Sequence, residues 1–384
     1  MTTEARNAFD QWVRPGCTVA LADGVGSPAG LYADLADAAR SAGGVRLILG
    51  WCPEAEIALD LGAFADVRGF MPGGGLRRAV AAGTVRYVPA WLSQLPGLLA
   101  GVWRPDVLVL SVRETGRGLC LGSEASWIQA AARVAGVCVA ELNNSLPDAT
   151  AGHGLARARM IVVGESGRPP VEVPSRTVDP VSAQIGARLA AFARPGCAIQ
   201  FGPGPIAEAF LAALEAPVRV DSGIITDAVV ALAERGLLIG DPLGTYLSGT
   251  RKLYDWADGR PVLDGVEVTH QPSRLCDLNL LAINSALQID ELGQVALDQP
   301  AGGRAAGIGG HADYACAASR SAGGLSVIAL PSARRGQPTL VGRLALPVST
   351  PRSVVDTVVT EHGAADLRGL SDDERANALR RLFR

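Results

Sequence analysis

The chain repeats itself. Residues 14–38 read RPGCTVALADGVGSPAGLYADLADA and residues 194–216 read RPGCAIQFGPGPIAEAFLAALEA, the second copy starting 180 residues after the first in a chain of 384. A supersecondary unit that recurs half a chain apart calls for two related domains, each long enough to bury its own core. Each copy has the same local logic. Thr18–Leu21 and Ala198–Phe201 are short apolar runs of strand length. Gly24-x-Gly26 and Gly202-x-Gly204 supply turn residues free to take positive φ. Pro28 and Pro205 fit the first helical position, where the missing N–H costs nothing. Leu31, Leu35 and Ala38 in one copy, and Ile206, Ala209, Phe210 and Leu214 in the other, fall on one helix face.

A second pair of segments matches later in each half. LGSEASWIQAAARVAGVCVAEL, residues 121–142, lies over IGGHADYACAASRSAGGLSVIAL, residues 308–330, with one residue of slippage. Both read as glycine turn, alanine-rich helix and strand, so the expected class is α/β, with two similar open α/β domains. Between the halves, GESGRPPVEVPSRTVDP (164–180) follows neither the helical nor the strand period and reads as a linker. The expected domains are therefore 1–180 and 181–384.

Composition narrows the partners. Hydrophobic residues make up 48% and charged residues 19%, with a formal net charge of -3 and no dense run of like charges. That balance excludes nucleic acid and an anionic membrane surface, and leaves a small molecule as the expected ligand. Residues 1–14 contain Glu4 and Asp10 and no apolar stretch, and no later run nears the ~18 residues that span a bilayer, so the expected location is the cytoplasm. Abundant alanine and arginine beside a single lysine, Lys252, point to a bacterial source. Seven cysteines without a C-x-x-C pair, several inside apolar runs such as Val137-Cys138-Val139, read as reduced core thiols, and four scattered histidines offer no zinc site.

The glycine turns admit more than one reading. Gly24-x-Gly26-x-x-Ala29 and Gly202-x-Gly204-x-x-Ala207 both fit the dinucleotide pattern G-x-G-x-x-G/A, and Val218-Arg219-Val220-Asp221 ends in an acid where a ribose-binding carboxylate would stand. Pro203 and Pro205 weigh against it by removing N–H groups from the turn that would cradle a pyrophosphate. The plainer reading is that these glycines let strand and helix pack closely.

Three blocks in the second half carry a resemblance. LLAINSALQIDELGQV (280–295), GIGGHADYACAASRSAGGLSVIALPS (307–332) and STPRSVVDTVVTEHGAADLRGLS (349–371) closely resemble the acetyl-CoA hydrolase/transferase family of the class I CoA-transferase superfamily. Weaker similarity runs through SGTRKLYDW (248–256), GPGPIAEAF (202–210), PDVLVLSV (105–112) and AELNNSLP (140–147), so nearly the whole chain takes part. The resemblance implies two similar open α/β domains of the class I CoA-transferase type, a coenzyme A thioester as substrate or ligand with no bound cofactor or metal, and a homodimer. It also implies ping-pong chemistry: a glutamate attacks the thioester while G-x-G backbone donors stabilise the oxyanion. CoA-binding positions would be Gly202, Gly204, Asn284, Gly307, Gly309 and Gly310. Asn284 is a polar side chain in an apolar strand, costly there unless it has a partner.

The sequence departs from that pattern at the catalytic step. The family's glutamate lies in a stretch resembling H-T-E-M-x-S-D-G, and laying it on VRVDSGIITDAVV (218–230) places Gly223 at the glutamate. Asp221, two residues away and on the same face of a strand, is a replacement candidate with a side chain one methylene shorter. Pro203 between the turn glycines removes an oxyanion donor. His311 stands where the family reads Gly-Gly-Gln and is the candidate base for direct attack by water, with Asp313 or another acid to orient it; the plainer reading is that it replaces glutamine as a hydrogen-bonding residue. Glu361 and Asp366 resemble family positions and read as structural acids. Ser371-Asp372-Asp373-Glu374 reads as a capping box, and the chain stops at Arg384 where relatives run on, so an abbreviated C-terminus is expected. Three functions stay open: a thioester hydrolase or altered transferase, a non-catalytic CoA-binding protein or subunit, and unrelated chemistry in the same cleft.

Overall fold

The computed structural model describes residues 3–54, 56–152, 154–298 and 307–384. Internal contacts divide the chain into two compact units: Met1–Val173 with Thr245–Val268 and Arg304–Gly309, and Pro174–Gly244 with Thr269–Gly303 and Gly310–Arg384. The contiguous division at residue 180 is thus crossed by segments of the second half that belong to the first unit. Backbone pairing explains the longer of them. Leu247 N donates to Ser123 O, Ala125 N to Thr245 O, Val266 N to Ser126 O and Leu263 N to Ala149 O.

The first unit is built on β1 (Thr18–Leu21), β2 (Arg46–Leu49), β3 (Asp66–Gly69), β4 (Arg86–Tyr87), β5 (Val107–Thr115), β6 (Gly118–Cys120), β7 (Val137–Asn143) and β8 (Met160–Ser166). They form one sheet in the order β4-β3-β2-β1-β5-β7-β8, with β6 paired to β5 as an antiparallel hairpin. The path strands pair in parallel, with Val19 opposite Leu47 on one side and Val107 on the other. Parallel strands covered on both faces need apolar residues throughout, and TVAL and VLVLSV are buried at every position.

The second unit begins with β9 (Ala198–Phe201), β10 (Arg219–Val220) and β11 (Ile224–Ile225), and the chain passes through β12 (Tyr246–Leu247) in the first unit before returning. It then forms β13 (Leu280–Ser285), β14 (Gln288–Asp290), β15 (Val295–Ala296), β16 (Leu325–Ala329), β17 (Ala333–Arg334), β18 (Gln337–Pro338), β19 (Leu340–Val341), β20 (Thr357–Thr360) and β21 (Gly363–Asp366). The main sheet runs β10-β9-β13-β16-β20-β21, parallel except for the last pair.

The repeat is visible in this topology. In each unit the chain leaves the first strand toward one side, to β2 or β10, then returns to pair on the other side with β5 or β13. The order therefore reverses between β1 and β5 and between β9 and β13. In open α/β sheets the crevice beyond the carboxyl ends at such a reversal is where ligands bind. Each glycine turn follows the first strand directly, at that reversal.

The expected linker is partly structured: β8 runs through Ser166, and Asp179 caps the helix Pro180–Ala190 by accepting from Val181 N and Ser182 N, both at 3.0 Å. Five cysteines, Cys17, Cys52, Cys120, Cys138 and Cys197, are buried. No helix among the described residues is long and apolar enough to cross a membrane.

Candidate functional site

In the second unit the chain leaves β9 through Gly202-Pro203-Gly204 into the helix Pro205–Ala213. Gly204 has φ 136°, a region that side-chain-bearing residues avoid, so glycine is required there. The helix has no side-chain cap, and Pro205 at its start has no N–H to satisfy. Ile206 and Ala207 are left with N–H groups that have no intrahelical acceptor. A Cβ added at Gly202 or at Gly204 would meet nothing within 4 Å. This turn is open.

Beside it, residue 222 is stapled to the end of β9: the Ser222 hydroxyl donates to Phe201 O at 2.9 Å and accepts from Phe201 N at 3.3 Å. Asp221 continues the ladder, its N–H donating to Ile199 O. Its carboxylate is engaged by Arg274, whose two terminal nitrogens donate to it at 2.5 and 3.0 Å, and Arg274 also donates to Thr269 O. A carboxylate held by a bidentate guanidinium is a poor nucleophile, because the pair stabilises the charge that attack would remove. Gly223 follows in a half-buried bend with no side chain to offer.

Asn284 has the partner its burial demands. Gln200 on β9 and Asn284 on the neighbouring β13 are both 3% exposed and exchange amide hydrogen bonds at 3.2 and 3.1 Å. This closed pair spans the sheet reversal and leaves each amide fewer groups for a ligand. His311 opens the helix His311–Ala318, is buried, and is hydrogen-bonded through Nε2 to the Thr350 hydroxyl rather than to Asp313. Burial pushes its pKa down to about 4, which weakens it as a base at neutral pH.

The glycines ahead of that helix are fitted to protein. A Cβ at Gly307 would lie 2.3 Å from Phe70 O, and one at Gly310 would lie 2.2 Å from His270 Nε2. Gly309 takes φ 60° and has open space beside it. His270 is itself fully buried, bonded through Nδ1 to the Thr269 hydroxyl at 2.9 Å and set edge-on to Tyr314. Of the six expected CoA-binding positions, Gly202, Gly204 and Gly309 face space, whereas Asn284, Gly307 and Gly310 meet neighbours within the fold.

The first unit holds a cluster that sequence reasoning missed. Its turn, Gly24 to Gly26, is occupied by Glu124, whose carboxylate accepts from Gly26 N at 3.1 Å and from the Ser123 hydroxyl at 2.9 Å. A Cβ at Gly24 would come within 2.6 Å of that carboxylate. Adjacent Asp23 accepts from Trp51 N at 2.6 Å and from the Tyr246 hydroxyl at 2.9 Å, and Ser126 donates in turn to Tyr246. Burial raises both acids, Asp23 to about 6 and Glu124 to about 8, with the Asp23 charge adding to the second shift. Asp23 also lines a cavity of about 10 Å³ with Ser27, Tyr32 and Trp51, room for about one water. The available signal was the overlay of the second repeated segment, which sets Glu124 over His311.

Comparison with known proteins matches residues 249–382 to a family described as acetyl-CoA hydrolase/transferase C-terminal domain. The chain is 30% identical over 327 residues to 4-hydroxybutyrate coenzyme A transferase of Clostridium kluyveri, covering 80% of this chain and 76% of that protein. The structure is similar to a single-substitution variant of RipA, a Yersinia pestis protein, with TM-score 0.91 and 25% identity over 99% of this chain and 93% of the other. It is also similar to 4-hydroxybutyrate CoA-transferase of Porphyromonas gingivalis, with TM-score 0.77 and 24% identity over 99% and 93% of the two chains.

Proposed function

Because the chain belongs to the acetyl-CoA hydrolase/transferase family and shares the CoA-transferase fold, we propose that it acts on acyl-CoA thioesters at the open turn of the second unit. The observation that carries this reading is an uncapped helix start at the sheet reversal, with Ile206 and Ala207 N–H groups available to a developing oxyanion. The resemblance puts Gly223 at the family's glutamate, and a glycine cannot form a glutamyl anhydride. The acceptor is then water: its oxygen bonds to the thioester carbon, the C–S bond breaks, and the products are a carboxylate, CoA thiol and a proton. Asp221 and His311, each already engaged by a neighbour, position the loop and the helix rather than attack.

One observation favours a second reading, binding of a CoA ligand without turnover: both candidate catalytic side chains are committed to partners within the fold. A panel of acyl-CoAs, with and without acceptor carboxylates, separates the two. Hydrolysis releases free thiol at the same rate with or without acceptor. CoA binding with no thiol release establishes the second reading, and acceptor-dependent exchange through a glutamyl adduct overturns both.

A further inference from the structure

Five of the seven cysteines are buried, and the two that are not, Cys276 and Cys316, are half-buried in the same part of the second unit. Cys276 ends the short helix Pro272–Cys276, and Cys316 lies on the helix His311–Ala318 that packs against it.

Two hydrogen bonds bracket the pair. Ahead of the cysteines the Tyr314 hydroxyl donates to Thr269 O at 3.4 Å, and beyond them Leu280 N donates to the Ser321 hydroxyl oxygen at 3.3 Å. Residues 269–280 and 314–321 therefore run side by side in one direction, with Cys276 and Cys316 between the two ties. Each segment then feeds a strand, β13 or β16, and those strands are parallel neighbours with Leu281 opposite Leu325. Between the ties Leu275, Tyr314, Ala317 and Ala318 are buried together, and Cys276 packs against them. Burial pushes the Cys316 thiol up, with Asp313 and Cys276 adding to the rise. A metal would need more ligands, and among the described residues no group of three or more His, Cys, Asp or Glu is placed to hold one. Two neighbouring, partly exposed thiols are suited instead to oxidation.

We propose that Cys276 and Cys316 form a reversible disulfide that ties the helix bearing Arg274 to the helix opened by His311. A low-molecular-weight disulfide is the oxidant. One protein thiolate attacks one of its sulfurs and the first small thiol leaves; the second protein thiolate then attacks the protein sulfur of the mixed disulfide, and the second small thiol leaves. Two protein thiols thereby give up two protons and two electrons, and one small disulfide becomes two thiols. Arg274 clamps Asp221 beside the open turn, so the bond covalently anchors the arm that carries that clamp. The proposal goes beyond the acyl-CoA reading and holds whether or not the chain turns over a thioester.

Incubation of the full chain with oxidised glutathione tests it, followed by intact mass and by peptide mapping without reductant, using wild type, Cys276→Ser and Cys316→Ser. Wild type is expected to lose two hydrogens, to yield one linked peptide pair joining Cys276 to Cys316 and to retain no glutathione, with dithiothreitol reversing the change. Each variant lacks the resolving thiol and is expected to keep one glutathione on the remaining cysteine of the pair. Oxidised wild type is expected to melt several degrees above the reduced form, because the bond closes a long loop of the unfolded chain. The wild-type result does not depend on how either variant folds. Glutathione retained on both cysteines of wild type, no reaction at either, or a linked form that melts below the reduced one overturns the proposal, and none of these outcomes touches the acyl-CoA reading.

Discussion

The two glycine turns follow the same Arg-Pro-Gly-Cys strand start and sit at the same reversal of strand order, yet one is filled and the other vacant. In the first unit Glu124 reaches back and its carboxylate accepts from the Gly26 N–H, standing where an anionic ligand would. In the second, the overlaid residue is His311, which turns to Thr350 instead, and Gly202 and Gly204 have nothing beside them. The lesson is that a repeated backbone can serve two ends: where an acid occupies the anion site the turn becomes core, and where that acid is absent the turn stays open. The occupied turn carries, as a consequence, two buried acids whose protons are hard to remove.

Glycine substitutions should break the contrast most visibly. In Gly26→Ala the new methyl would lie 2.5 Å from Ser123 Oγ in a buried site, and a loss of about 3 kcal/mol is expected by urea denaturation. Gly202→Ala should cost under about 0.5 kcal/mol. Equal losses would erase the difference between the turns. Next in size, Glu124→Ala strands the Gly26 N–H and the Ser123 hydroxyl and should cost about 2 kcal/mol, part of which added acetate or formate recovers by refilling the site. If no small carboxylate restores stability, Glu124 is not standing in for a ligand.

A pH titration of stability sharpens the same point. Glu124 rises from 4.5 to about 8 and Asp23 from 3.8 to about 6 on folding, so the folded chain binds more protons than the unfolded one in that window. Stability is then full below about pH 4 as far as these groups are concerned, and falls by about 1.4 kcal/mol per pH unit for each group within its own window, from about pH 4 to 6 for Asp23 and from about pH 4.5 to 8 for Glu124. Glu124→Gln should flatten the upper part of that curve, and an unchanged slope would contradict the assignment. The smallest effect on activity concerns the open turn: Asp221→Asn unpairs the part-buried Arg274 guanidinium and should cost about 3 kcal/mol in stability, yet leave thiol release within about threefold of wild type. Loss of release with the fold intact would make Asp221 a catalyst after all.

Much of the fold was legible because its signals are local. RPGC, the G-x-G turns and Pro205 at a helix start are chemistry within a few residues, and the strands and helix they predict are present. What escaped the sequence depends on distant pairing. Glu124 meets Gly26 across 98 positions, Arg274 meets Asp221 across 53, and Thr350 meets His311 across 39. No periodicity announces such partners. Asn284 was intermediate: its need for a partner could be read from an apolar strand, but Gln200 as that partner required the β9–β13 register. The return of Thr245–Val268 to the first unit is likewise a long-range pairing, invisible to a linker-based boundary.

Amide hydrogen exchange of the full chain, with and without saturating CoA, addresses the contrast between the turns most directly. Slowed exchange at residues 204–208, with residues 24–30 unchanged, is the predicted result. Slowed exchange at 24–30 with none at 204–208 would contradict it, because the turn that Glu124 fills would then be the one that receives the ligand.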